Sequence, residues 1–185
     1  GHMPESSPTV ARRTTLHKGR KFDFELVTTE VAPGRTLTRE VVRHPGAVLI
    51  LPVLPDGRIV LIRNRRIAVD AWLYELPAGT LEPGEDPADC ARRELEEEAG
   101  IRCKDLSYMG SAYPMASLAN RKVHYYFTDV LKPAGALDRR PDDDDVAAAW
   151  VPLRDVFRKV QQGGVDAMVG HGLLLGSLNG YFSIE

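Results

Sequence analysis

The chain has 185 residues, 43% of them apolar and 27% charged, with 24 Lys plus Arg against 26 Asp plus Glu and a formal net charge of −2. This composition suits one folded domain with a core, excludes a disordered or collagen-like chain, and gives no electrostatic reason for nucleic-acid or anionic-membrane binding. The longest apolar run, Gly46 to Pro55, is far short of the roughly 20 residues a membrane-spanning helix needs.

Gly1-His2-Met3 resembles an expression-tag remnant, and residues 4–15 are polar with Pro4 and Pro8, so 1–15 is expected to be remnant and flexible tail. From Phe22 the pattern alternates. Phe22, Phe24 and Leu26, the turn Pro33-Gly34 and the stretch Thr36 to Val42 predict an antiparallel hairpin, giving an N-terminal β lobe over 16–45. The run from Ala47, the turn Pro55-Asp56-Gly57 and Arg58 to Arg63 predict a second hairpin, which opens the main domain, 46–185. Strands are expected at 106–111, 123–130 and 146–151, with a short helix over 153–162 and a last helix over 166–179. The fold class is α/β. Cys90 and Cys103 show neither a CxxC pair nor zinc-ligand spacing, so a reducing cytoplasm is the default compartment.

The chemistry concentrates between Gly79 and Ile101. Eight of the 26 acidic residues fall in these 23 positions, against two basic ones. Asp86 can cap a helix, Pro87 suits its first position and Gly100 can end it in the left-handed conformation, so the helix spans 87–99. Ala88, Ala91, Leu95 and Ala99 form its apolar stripe, whereas Glu94, Glu97 and Glu98 share a separate arc and Glu96 points to the opposite flank. Like charges at these spacings each cost a few tenths of a kcal/mol, so three on one arc suggest a compensating divalent cation. Oxygen ligands favour Mg²⁺ or Mn²⁺. On charge alone, a solvated acidic helix face is the better account.

The surrounding pattern changes that balance. Gly79, Glu85, Arg93, Glu94, Leu95, Glu97, Glu98, Gly100 and Ile101 stand at the spacing G-x5-E-x7-R-E-U-x-E-E-x-G-U, with U aliphatic, which resembles the Nudix box at every fixed position. The resemblance implies an α/β/α sandwich around a mixed sheet and metal-dependent hydrolysis of a nucleoside diphosphate linked to another group. It also implies roles: Glu94 and Glu98 as principal metal ligands, Glu97 as a further ligand or water-activating group, and Arg93 with Glu85 as the pair that orients them.

Residues flanking the box narrow the branch. Glu75-Leu76-Pro77-Ala78-Gly79 resembles the E-L-P-A-G lead-in of the ADP-ribose and nucleotide-sugar pyrophosphatases, which makes the Ala78 carbonyl a metal ligand. Leu61 to Ile67 resembles that branch's strand end, whose arginine contacts substrate, here Arg66. Arg39 is a second candidate of this kind, with ordinary surface charge as its alternative. In this branch the N-terminal lobe is exchanged across a homodimer. Tyr113 is a candidate to stack on a nucleobase, although packing is the commoner use of such a residue. The loop 112–121 lacks the glycine and glutamate of the S-P-G-x-[ST]-x-E pattern of many ADP-ribose hydrolases. The run Asp142 to Asp145 before Val146 resembles the branch's acidic loop, which places Asp142 at the general-base position and Asp144 at a metal-ligand position; Glu97 and Glu98 are the other candidates for the base.

The expected function is therefore Mg²⁺-dependent cleavage of a nucleoside diphosphate sugar, ADP-ribose first, to AMP and ribose 5-phosphate. GDP-mannose or another nucleotide sugar is the first alternative substrate. A non-catalytic nucleotide sensor is the alternative of a different class, opposed by the complete set of box glutamates.

Overall fold

The structure is a computed structural model that describes residues 9–103, 105–130 and 147–184. The described residues divide into two compact units, one within 1–46 with Met115–Arg121 and the other within 47–114 with 122–185.

The first unit is a three-stranded antiparallel sheet in the order β1 (Thr9–Lys18), β2 (Asp23–Ala32), β3 (Arg35–Arg43). Strands β2 and β3 are the hairpin expected around Pro33-Gly34. Strand β1 is a correction, because the chain is already in register with β2 from Thr9, inside the stretch read as tail. Its threonines and Val10 favour extended backbone, and Arg13 finds a partner across the sheet. That partner is Glu25, 4% exposed, which accepts from Arg13 Nη2 and Arg43 Nε at 2.9 Å each. One buried carboxylate thus joins all three strands. The segment 115–121 docks on the end of β3, where Val42 N–H donates to the Leu118 carbonyl and Asn120 Oδ1 accepts from His44 N–H.

The second unit is a seven-stranded sheet with the path β10 (Ala147–Pro152), β5 (Arg58–Arg66), β4 (Ala47–Val53), β9 (Val123–Asp129), β8 (Ser107–Ala112). Strands β4 and β9 pair in parallel and β10–β5, β4–β5 and β8–β9 antiparallel, so the sheet is mixed. Strand β4 explains the long apolar run. Leu49 and Leu51 point into a cluster with Val156, Val169 and Leu173 of α2 (Leu153–Gln162) and α3 (Ala167–Leu178). Val48 and Ile50 point the other way, into a cluster with Cys90, Ala91 and Leu95 of α1 (Pro87–Ala99). A strand covered on both faces has no solvent side and reads as continuous apolar sequence. The result is the α/β/α sandwich implied by the sequence resemblance.

Strands β4 and β5 meet at Val53 and Ile59 and then part. The gap is filled by β6 (Ala71–Glu75), which pairs with β5, and by the three-residue β7 (Ala78–Thr80), which pairs with β4. At the bend between them the Pro77 carbonyl accepts from Ile50 N–H at 2.9 Å. This insertion brings the segment from Glu75 to Gly79 to the strand ends beside α1. Among the described residues, no helix is long and apolar enough to cross a membrane.

Candidate active site

Helix α1 is held at both ends by the residues expected. Asp86 accepts from Ala88 N–H at 2.9 Å and Asp89 N–H at 3.3 Å, and Gly100, at φ 64°, donates its N–H to the Glu96 carbonyl. The buried face differs from the stripe read in sequence. Cys90, Ala91, Leu95 and Ala99 are buried and Ala88 is only half-buried, with the Cys90 thiol directed at the Thr80 carbonyl, 3.7 Å away. Cys90 and Ala91 lie about 100° apart around the axis. Glu94 and Glu98 fall between them, so their arc lies inside the sheet-facing sector rather than beside it, and the Glu94 side chain is 13% exposed.

Arg93 ties the loop before the helix to the glutamates on it. Its Nε and Nη2 donate to the two oxygens of Glu85 at 3.0 Å each, while Nη1 donates to Glu94 Oε1 at 2.9 Å and Glu97 Oε2 at 3.3 Å. The Arg93 guanidinium holds the Glu85 carboxyl down, to about 2. Every donor direction of Arg93 is committed within the box, so it acts as a strut. Glu97 is partly exposed, and Glu96 is turned away, accepting from Arg102 Nε at 2.8 Å.

Glu94 and Glu98, one turn apart, bring their carboxyls within hydrogen-bonding reach of each other. Burial pushes both carboxyls up, and for Glu98 the charge on Glu94 adds to the shift, while a backbone hydrogen bond from Ala78 opposes it. Gly79 makes this approach possible. A Cβ there would lie 2.0 Å from Glu94 Cδ, so the carboxylate rests where any other residue would have a side chain. Two half-buried facing carboxyls beside a peptide backbone form an oxygen-donor set whose mutual repulsion a divalent cation would relieve. The donor chemistry therefore fits such an ion, with Glu94, Glu98 and Ala78 as holders. Among the described residues no group of three or more His, Cys, Asp and Glu side chains converges as a complete metal cage.

Arg66, at the end of β5, forms a two-bond ion pair with Glu75, and Nε lies 2.6 Å from Oε2. Asn64 Nδ2 donates to the same carboxylate at 3.3 Å. Glu75 is 5% exposed and received no role from sequence, although it opens the lead-in motif; its invisible feature was the strand pairing that buries it. Tyr113 is exposed, with Lys122 Nζ 6.0 Å from its ring centroid. Arg39 lies in the first unit, on β3, exposed and donating to the Thr38 carbonyl. Asp142 and Asp144 lie outside the described residues.

A NUDIX domain model matches residues 43–167. The chain belongs to the Nudix family. Among individual relatives, it is 32% identical over 153 residues to an ADP-ribose pyrophosphatase of Bacillus subtilis, covering 83% of this chain and 82% of the relative. It is 36% identical over 147 residues to a methanol dehydrogenase activator of Bacillus methanolicus, covering 80% of each. The fold matches a crystal structure of ADP compounds hydrolase with a TM-score of 0.74 at 22% identity, over 98% of this chain and all of the other.

Proposed function

We propose that this Nudix hydrolase cleaves the pyrophosphate bond of ADP-ribose, adding one water to give AMP and ribose 5-phosphate, with Mg²⁺ as the working ion and Mn²⁺ as a substitute. The observation that carries the reading is the half-buried Glu94 and Glu98 pair set against the E-L-P-A-G backbone. Relatives named ADP-ribose pyrophosphatase in Bacillus subtilis and Mycobacterium tuberculosis, at 32% and 30% identity, support the substrate.

In this reading Glu94, Glu98 and the Ala78 carbonyl hold the cation, which supplies charge to neutralise the diphosphate and to acidify water. Arg93 keeps the Glu94 and Glu97 carboxylates in position from the side away from the sheet. Arg66 binds a phosphate through its guanidinium fork, and Arg39 and Tyr113 serve the remainder of the substrate. Glu97, Glu98 and Asp142 are the candidates to take the proton of the attacking water. The two free cysteines agree with a reducing cytoplasm, and the exposed Val10, Leu16 and Phe22 on the first unit agree with a homodimer.

A second reading, a regulator of another enzyme, rests on the likeness to the methanol dehydrogenase activator. The test is phosphate release, coupled to a phosphatase, from ADP-ribose, GDP-mannose, UDP-glucose and nucleoside triphosphates in Mg²⁺ or EDTA. Selective Mg²⁺-dependent release from ADP-ribose is expected. Preference for another sugar nucleotide would move the substrate, and silence across the panel would favour the regulator.

A further inference from the structure

Glu75 is buried and charged, yet it belongs to neither the helix carboxylates nor the loop strut. In the antiparallel ladder Glu75 stands opposite Ile62, and Ile62, Asn64 and Arg66 alternate onto one face of β5. The face is the one that α1 covers, since Ile62 packs with Cys90 and Leu95. The Glu75 carboxylate therefore runs along the strand beneath the helix, meeting first Asn64 and then Arg66.

The way it meets Arg66 is informative. A guanidinium carries five N–H donors in a rigid fork. Glu75 takes the side edge, one hydrogen from Nε and one from Nη2. That leaves the end edge, formed by Nη1 and the second Nη2 hydrogen, and among the described residues no protein group accepts from Nη1. The Arg66 side chain is 52% exposed while the Glu75 side chain it pairs with is 6% exposed, so the pair holds a half-exposed guanidinium against a buried carboxylate. Two parallel bonds fix the plane of the group, which a single bond would leave free to swing. Asn64 in turn keeps the carboxylate from rotating. The other acids whose charge reaches Arg66 are Asp166 and Glu98. Asp166 is occupied as the cap of α3, accepting from Met168 N–H at 2.9 Å, and Glu98 is paired with Glu94 and Ala78.

We propose that Glu75 is a positioning residue that holds the end edge of Arg66 in the orientation that receives a phosphate of a nucleoside diphosphate. This rests on the diphosphate-hydrolase reading of the same site. A carboxylate that merely neutralised Arg66 would support the fold without governing substrate affinity, and the experiment separates the two.

Wild type, Glu75→Gln, Glu75→Asp, Arg66→Lys and the Glu75→Gln/Arg66→Lys double variant are compared for kcat and KM on ADP-ribose with Mg²⁺, for calorimetric Kd of ADP with Mg²⁺, and for Tm. The expected result for Glu75→Gln is a rise of about tenfold in both KM and Kd, with kcat within about threefold and a modest fall in Tm. Arg66→Lys is expected to cost a similar factor, the double variant little more than either, and Glu75→Asp to recover part of the affinity if the shorter carboxylate still reaches Nε. Lower Tm with unchanged KM and Kd across the set would overturn the proposal in favour of a structural counter-ion, as would a loss confined to kcat or fully additive losses in the double variant. Wild type that binds ADP but leaves ADP-ribose intact would refute the substrate reading alone, because the Kd comparison still judges Glu75. Wild type that binds no ADP would overturn both.

Discussion

Gly79 and Glu94 share one space: the position a Gly79 Cβ would take lies 2.0 Å from Glu94 Cδ and 2.3 Å from its Oε1. The glycine of the motif is thus required by the glutamate fifteen residues later in the chain. Its substitution should be a functional lesion more than a structural one, because the atoms in the way are the far end of a flexible side chain. Gly79→Ala is expected to lower kcat/KM by about a hundredfold while Tm falls only slightly. Unchanged turnover would show that Glu94 can work from a second position.

The Glu94 and Glu98 pair is costly to the protein without a cation. Glu98 has a raised pKa in the folded chain, so its contribution grows more unfavourable as pH rises from the unfolded value of about 4.5 toward the folded one. Glu98→Gln should therefore raise Tm in EDTA at pH 8 and remove most of the turnover in Mg²⁺. Thermal scans with and without Mg²⁺ check this, and a Glu98→Gln protein less stable than wild type in EDTA would contradict it.

The Glu85 and Arg93 pair has the opposite sign. Glu85 titrates at about 2 when folded, below its ordinary 4.5, so its stabilising effect is present above pH 4.5 and is lost as pH falls toward 2. Glu85→Gln should flatten the acid limb of the stability curve between those values. An acid limb identical to that of wild type would show that the pair contributes nothing to folding.

Leu95 is fully buried in the cluster that joins α1 to the sheet. Leu95→Ala should cost about 2–5 kcal/mol by lost burial and the cavity left behind. Because the same helix carries Glu94 and Glu98, activity at fixed temperature should fall with the folded fraction and Mg²⁺ should partly restore it. Urea denaturation with and without Mg²⁺ measures both effects.

In the first unit, Glu25→Gln should destabilise the three-stranded sheet, since Arg13 and Arg43 would lose the carboxylate they share. A loss of roughly 1–3 kcal/mol is expected. Faster amide exchange in β1 than in the second unit's β4 is the specific readout.

The features legible in the amino-acid sequence are those whose causes are local or periodic. Helix α1 was legible to its last residue because Asp86, Pro87 and Gly100 act within one turn of its ends. Strand β4 was legible because its run from Ala47 is apolar without a break. The arc of Glu94, Glu97 and Glu98 followed from their spacing on one helix, and the pairing of Arg93 with Glu85 from the resemblance to the Nudix box. The remaining features depend on contacts between distant parts of the chain. The pairing of β1 depends on Glu25 from another strand, and the three-residue β7 exists because β4 and β5 part after Val53 and Ile59. Cys90 is buried by the Thr80 strand, which turns the arc of Glu94 and Glu98 inward. Glu75 is an unremarkable acid in the chain, and its meaning comes from the ladder that lays it beside Arg66. Long-range pairing sets which carboxyls are buried and which meet a guanidinium, and those surroundings decide which acidic residues become chemically unusual.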